Sequence, residues 1–153
     1  MYKTPEELLP HDHPMIVISE IENVDLKGGN LTARADIKKT DILYQPHING
    51  VPTYSALEYM AQTIGCFAGY YDLEINPNKK PAVGFLLGTK KMEIFTPVLN
   101  VDESYFIKVQ ELFMEENLAS FECSMYNKEN KIVANAIINT YRPENVDDFL
   151  KEL

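Results

Sequence analysis

One acidic side chain, Glu58, lies near the start of a stretch, residues 54–71, that is otherwise rich in apolar side chains. Drawn as a helix, this stretch is apolar on almost every face, which is typical of a buried helix. Because burying an unpaired carboxylate is costly, Glu58 must lie near solvent, be paired, or take part in proton-transfer chemistry. A purely structural interpretation also exists, since Ser55 followed by Glu58 fits a helix capping box.

The remaining residues with chemical potential are histidines and cysteines. His11 and His13 are separated by one residue, and no third ligand is evident, so we expect no metal site. Cys66 and Cys123 have neither a metal-binding nor a redox spacing, and we interpret both as small buried hydrophobic residues. No cofactor is indicated.

Composition limits the classes of function. The chain has 153 residues, of which 45% are hydrophobic, and we expect one domain over residues 1–153. A net charge of −9 argues against nucleic-acid binding. No stretch is long and apolar enough for a membrane span, and the N-terminal residues lack a secretory apolar region, so we expect a cytoplasmic protein. Lysine pairs at 38–39, 79–80 and 90–91 are either scattered solvated side chains or a docking patch for an acidic partner.

Local patterns place the elements around the central helix. Alternating, β-branched runs predict six strands, at residues 15–24, 31–37, 83–95, 105–114, 118–126 and 131–141. Short helices are predicted at residues 5–9 and 143–153. Two strands, one long helix and four more strands indicate an α+β fold with an antiparallel sheet of about six strands wrapped around the helix.

That order is the order of the hotdog fold, and three motifs resemble the FabA/FabZ family of β-hydroxyacyl-acyl-carrier-protein dehydratases. Residues 8–11 (LLPH) with Pro14 resemble the family's entry motif. Residues 57–62 (LEYMAQ) resemble its central-helix motif, and residues 87–98 resemble its third strand, which ends before a proline turn. Within the family, residues 58–62 and 84–88 are similar to the ApeP-like subgroup.

The resemblance implies a catalytic pair, a histidine before the helix and an acid on it. Glu58 matches the acid, and His47 is the candidate base, in a QPHING sequence that departs from the family's GHFPG loop. The alternatives are a surface role for His47, or His11 as the base. The amides of Thr53 and Tyr54 at the helix start are candidate donors to the thioester oxygen.

The resemblance further implies substrate contacts at Gln62 and Gly88. It also implies a homodimer whose sites lie at the interface, where His47 of one subunit faces Glu58 of the other.

The predicted activity is dehydration of (3R)-hydroxyacyl thioesters, carried by acyl-carrier protein, to trans-2-enoyl thioesters in fatty-acid or aryl-polyene-type synthesis. Histidine is a suitable base at neutral pH, and a carboxyl group in an apolar setting is a suitable acid. Two alternatives remain open. One is a hotdog acyl-thioesterase, in which the carboxylate activates water. The other is a non-catalytic acyl-binding subunit of a hetero-oligomer.

Overall fold

A computed structural model describes residues 2–78 and 84–142. It contains two α-helices and eight strands, which are α1 (Pro5–Leu8), β1 (Glu20–Asp25), β2 (Asn30–Asp36), β3 (Gly50–Pro52), α2 (Ala56–Ile75), β4 (Phe85–Ile94), β5 (Val98–Asn100), β6 (Ser104–Glu115), β7 (Leu118–Asn127) and β8 (Ile132–Tyr141). The helix predicted at residues 143–153 and the lysine pair at 79–80 lie outside the described residues.

Six strands form one antiparallel sheet in the order β1-β2-β6-β7-β8-β4. The helix α2 lies against the inner face of this sheet and contacts β2, β6, β7 and β8. The burial of side chains alternates along β2: Leu31, Ala33 and Ala35 are fully buried, while the residues between them are partly exposed. Every second side chain of this strand therefore faces the core. The predicted hotdog arrangement, a six-stranded antiparallel sheet around one long helix, is therefore confirmed.

Two local predictions were wrong at their boundaries. The first strand begins at Glu20 rather than at residue 15, because the three consecutive residues 16–18 are all buried and do not alternate. The loop predicted at residues 39–52 ends in the short strand β3, which pairs with β5 in a separate two-stranded sheet. Strands of three residues are too short to show the periodicity that sequence patterns rely on.

The N-terminal segment runs along α2 and is held there by close contacts. Its helix α1 begins as predicted, with Thr4 before Pro5, and the Thr4 N–H donates to Glu7 Oε2 at 2.7 Å. A methyl group added at Gly69 would lie 2.6 Å from the Leu8 carbonyl oxygen. The absence of a side chain at this position of α2 therefore permits the close approach of α1.

We expect Gly69→Ala to lower the free energy of unfolding by about 1–3 kcal/mol, because the added methyl group collides with backbone that cannot rotate away. Gly65→Ala is the matched control, since its added methyl group would lie 2.7 Å from the Leu9 Cδ2 atom, at the end of a side chain that can rotate away more easily than backbone. This substitution should change stability by no more than about 1 kcal/mol, because alanine also favours the helix. Urea unfolding of both variants measures the difference, and equal losses would contradict this account.

Candidate active site

Glu58 lies in the first turn of α2, on the part of the helix that its own sheet does not cover. Its side chain is exposed in the single chain. An ionisable group exposed at the start of a largely buried helix can meet a substrate or a partner chain without first being uncovered.

A buried amide orients this carboxylate. Gln62, one turn further along α2, is 1% exposed, and its Nε2 donates to Glu58 Oε1 at 2.7 Å. The same nitrogen donates to the Met15 carbonyl oxygen at 2.7 Å, while Gln62 Oε1 accepts from the Val17 N–H at 2.9 Å. Both N–H groups and the oxygen of the amide are therefore engaged, so Gln62 supports Glu58 and the N-terminal segment in the structure.

This arrangement also corrects the structural interpretation of Glu58. Ser55 has helical backbone angles and its side chain makes no cap hydrogen bond, so the capping box predicted for Ser55 and Glu58 is wrong. The spacing of four residues places Glu58 and Gln62 on one helix face. That spacing was the sequence signal for the pair, although the sequence alone could not show which backbone groups Gln62 would bind.

His47 lies at the tip of a tight turn between β2 and α2. The turn is a 3₁₀ helix over Pro46–Ile48, and Asn49 closes it in the left-handed conformation with φ 51° and ψ 46°. The Gln45 N–H donates to the Gly50 carbonyl oxygen at 2.8 Å. His47 itself is exposed.

The two predicted catalytic residues, His47 and Glu58, do not contact each other within one chain through a hydrogen bond or an ion pair among the described residues. Within residues 2–78 and 84–142, no hydrogen bond or ion pair links His47 to Glu58, whose carboxylate bonds to Gln62 instead. Both side chains are exposed, so each remains accessible to a second molecule. The predicted pairing across two subunits stays a prediction.

The helix start supplies fewer amide donors than the sequence suggested. The Thr53 N–H donates to the Pro97 carbonyl oxygen at 3.0 Å, which continues the β3–β5 pairing. This bond engages the Thr53 amide, so it is not free to donate to a thioester oxygen, and the role of the Tyr54 amide stays a prediction. Thr53 is fully buried, and its hydroxyl has no hydrogen-bond partner among the described residues, as is also true of the Tyr59 hydroxyl.

Gly88 lies on β4, which forms one edge of the large sheet. The β4–β8 register shifts between Leu86 and Gly88. A methyl group added at Gly88 would meet no atom of the described residues within 4 Å. Open space therefore adjoins this edge at the position predicted to contact substrate.

The other candidate groups lie apart from this site. His13 Nε2 is 3.4 Å from Glu6 Oε1, and His11 is exposed. The part of the chain that the structure describes contains no cluster of three or more side chains suited to a metal ion. Both cysteines are buried as predicted, and burial raises the pKa of each thiol to about 12.

None of the helices within the described residues has the length and apolar character needed to cross a bilayer.

A six-stranded antiparallel sheet around one long helix, with a carboxylate at the exposed start of that helix, defines a hotdog-fold protein with a candidate acid–base site. A family model described as "ApeP-like: ApeP dehydratase" matches residues 3–151. The chain therefore belongs to the ApeP-like dehydratase family, which confirms the resemblance seen in its motifs.

Curated relatives and solved structures agree with this assignment. The chain is 28% identical over 96 residues to the 3-hydroxyacyl-[acyl-carrier-protein] dehydratase FabZ of Chlamydia trachomatis, and the match spans 61% of each chain. The dehydratase heterocomplex ApeI:P from Xenorhabdus doucetiae contains a chain that is 22% identical, with a TM-score of 0.88 over 99% of this chain and 97% of that one.

More distant structures share the fold. The Escherichia coli PaaI protein from the phenylacetic acid degradation operon is 10% identical, with a TM-score of 0.61 over 80% of this chain and 82% of that one. A hypothetical thioesterase with coenzyme A from Streptococcus pneumoniae is 14% identical, with a TM-score of 0.60 over 81% and 84%. These likenesses support the hotdog fold and do not discriminate between activities.

Proposed function

We propose that this protein is a dehydratase that converts (3R)-hydroxyacyl thioesters to trans-2-enoyl thioesters. The observation that carries the proposal is Glu58, an exposed carboxylate at the start of the central helix that a fully engaged, buried Gln62 holds in place. Membership of the ApeP-like dehydratase family supports dehydration as the reaction in which this carboxylate would take part.

The elimination of water needs one base and one acid. In the proposed reaction, the neutral imidazole of His47 takes the proton from C2 of the acyl chain, and that electron pair forms the C2–C3 double bond. The C3–O bond breaks, and protonated Glu58 gives its proton to the departing oxygen, so that water leaves. Charge develops on the thioester oxygen, where the Tyr54 amide at the helix start is the candidate donor. Proton exchange with water then restores both side chains.

A second subunit would complete the site. Among the described residues, β4 is an edge strand with no partner strand on its outer side, and three apolar side chains at its ends are exposed, namely Leu86, Leu87 and Ile94. An edge of this kind is a template for pairing with another strand. Pairing with a second copy in a homodimer would extend the sheet, and we propose that it brings His47 of one subunit to Glu58 of the other.

The carrier is part of the proposal. The matching FabZ proteins are named as acting on acyl-carrier protein, and we extend that carrier and a role in fatty-acid or aryl-polyene-type synthesis to this chain. Because the protein has a net charge of −9, an acidic carrier would have to dock on local basic groups. Four described lysines, in the pairs 38–39 and 90–91, are exposed and available for that purpose.

One assay tests the reaction against its alternatives. Purified protein is incubated with a 3-hydroxyacyl thioester on acyl-carrier protein, on coenzyme A and on a small thiol, and the enoyl absorbance and free thiol are both followed. We expect formation of enoyl thioester without release of thiol, with the highest kcat/KM for the carrier-bound substrate.

The other outcomes of this assay identify the alternatives. Release of thiol without enoyl product would replace the proposal with a thioesterase. Neither product, in a protein of confirmed fold, would indicate a non-catalytic subunit. The structure described as the ApeI:P heterocomplex makes a hetero-oligomer the natural next test in that case, with the solution mass of the purified protein as the first measurement.

A further inference from the structure

Backbone contacts anchor the C-terminal end of the turn that presents His47. The Val101 N–H donates to the Asn49 carbonyl oxygen at 3.2 Å, and β3 begins at Gly50. A methyl group added at Gly50 would lie 2.3 Å from the Leu99 carbonyl oxygen, so the turn is packed tightly on β5. These contacts hold the C-terminal end of the turn.

A hydrogen bond between two side chains also links the turn to the residue that precedes it. The Tyr44 hydroxyl donates to Asn49 Oδ1 at 2.9 Å, and this is the one side-chain hydrogen bond recorded within residues 44–50. It joins Asn49, which lies within the turn, to Tyr44, the residue directly before the backbone pair formed by Gln45 and Gly50. Inside the turn, the backbone bond from the Ile48 N–H is long at 3.3 Å, whereas the bond from the Asn49 N–H has an ordinary length of 3.1 Å.

Asn49 has two separable roles in this arrangement. Its backbone adopts the left-handed conformation, which asparagine and glycine tolerate better than other residues. Its side chain accepts the bond from Tyr44. A glycine at this position would keep the backbone conformation and remove the acceptor, which allows the two roles to be tested separately.

We propose that Tyr44 and Asn49 are positioning residues that hold the imidazole of His47 in its working place. The inference rests on the proposed function, because it assigns the pair to the base of that reaction. The pair touches no reacting atom, and it acts by fixing the turn whose tip carries His47. Misplacement of a catalytic group by a fraction of an ångström to an ångström reduces the rate of the chemical step more than it reduces substrate binding.

Three variants test the pair. We expect Tyr44→Phe to lower kcat by about 10-fold while KM changes by less than about 2-fold. Asn49→Gly should have an effect of similar size, and the double variant should be no worse than the more impaired single variant, because both substitutions remove the same bond. Tyr2→Phe is the matched control, since the Tyr2 hydroxyl donates to Asn23 Oδ1 at 3.2 Å in a remote part of the chain.

A second measurement reports on His47 independently of activity. The chain has 3 histidines, so imidazole ¹H–¹⁵N spectra of histidine-labelled protein are simple, and His47→Gln assigns the signal of interest. We expect Tyr44→Phe to shift or broaden the His47 signal and leave those of His11 and His13 in place, while Tyr2→Phe leaves His47 unchanged.

The two measurements separate failure of this inference from failure of the proposed function. If the wild-type protein has no dehydratase activity, the proposed function fails, and the spectra still decide whether the pair positions His47. In an active enzyme, a wild-type kcat for Tyr44→Phe overturns the inference, and so do additive losses in the double variant. In an inactive protein, an unchanged His47 signal overturns it.

Discussion

Two inactive variants of this protein, His47→Ala and Glu58→Gln, are expected to regain activity when they are combined in one dimer. Each variant alone should lose a factor of about 10²–10⁴ in kcat, the usual contribution of a general acid or base. If each site takes His47 from one subunit and Glu58 from the other, a mixed dimer contains one intact site and one site that lacks both groups. Random pairing of equal amounts would restore about a quarter of the wild-type activity.

The variants are chosen to leave the fold intact. Glu58 is exposed, and a glutamine there keeps an oxygen that can accept the hydrogen bond from Gln62. The measurement is the rate of enoyl-thioester formation by differently tagged subunits that are co-expressed and purified through both tags. Selection through both tags enriches mixed dimers, so the recovered activity per mixed dimer should approach about half of the wild-type value.

The control is a mixture of wild-type chains with the double variant that lacks both groups. With shared sites, the mixed dimer of this control has no intact site, whereas sites within one subunit would leave it one. Mixed dimers of the two single variants that stay inactive would contradict the shared site. Activity in the mixed dimer of the control would also contradict the shared site, because it would show that a single wild-type subunit contains a complete site.

Replacement of Gln62 by leucine is expected to cost both stability and activity. The substitution removes three hydrogen bonds and leaves the buried Val17 N–H, the Met15 carbonyl oxygen and the Glu58 carboxylate without their partner. An unsatisfied buried polar group costs about 1–3 kcal/mol, so we expect the free energy of unfolding to fall by about 2–4 kcal/mol. Urea unfolding followed by circular dichroism measures this loss.

The same substitution should release Glu58 from its orientation. We expect kcat to fall by about 10- to 100-fold in protein that is still folded at the assay temperature, with a smaller change in KM. Gln110→Leu is the matched control, because Gln110 Nε2 also donates to a backbone carbonyl, that of Gly28 at 2.8 Å, but in a more exposed part of β6. It should keep wild-type activity and lose no more than about 1 kcal/mol. A Gln62→Leu variant as stable and active as the wild type would refute the supporting role of Gln62.

The elements that the sequence predicted correctly are those with strong local patterns. The strands β2, β6, β7 and β8 alternate and are bounded by turn residues, and the long apolar stretch became α2 within a few residues of its predicted ends. The same patterns were sufficient for the fold class, because six such strands and one buried helix leave few ways to cover the apolar surfaces.

The missed elements depend on contacts between distant parts of the chain. The strands β3 and β5 have three residues each, and only their pairing with one another reveals them. The predicted start of β1 is too early. Residues 16–18 are buried, and the Val17 N–H bonds to Gln62 of α2 instead of pairing with a neighbouring strand. The Ser55–Glu58 capping box failed for a similar reason, since Glu58 bonds to Gln62 rather than capping the helix.

For the central helix, the sequence by itself determined that a carboxylate would stand at the start of a buried element, because apolar periodicity and the cost of burying charge are local facts. The tertiary structure decided what that carboxylate touches. The N-terminal segment returns along α2 and engages Gln62, which also bonds to Glu58. The pairing of Thr53 with Pro97 leaves Tyr54 as the candidate amide donor. Such partners are set by chain topology, since hydrogen bonds between residues far apart in sequence leave no periodic trace in either segment.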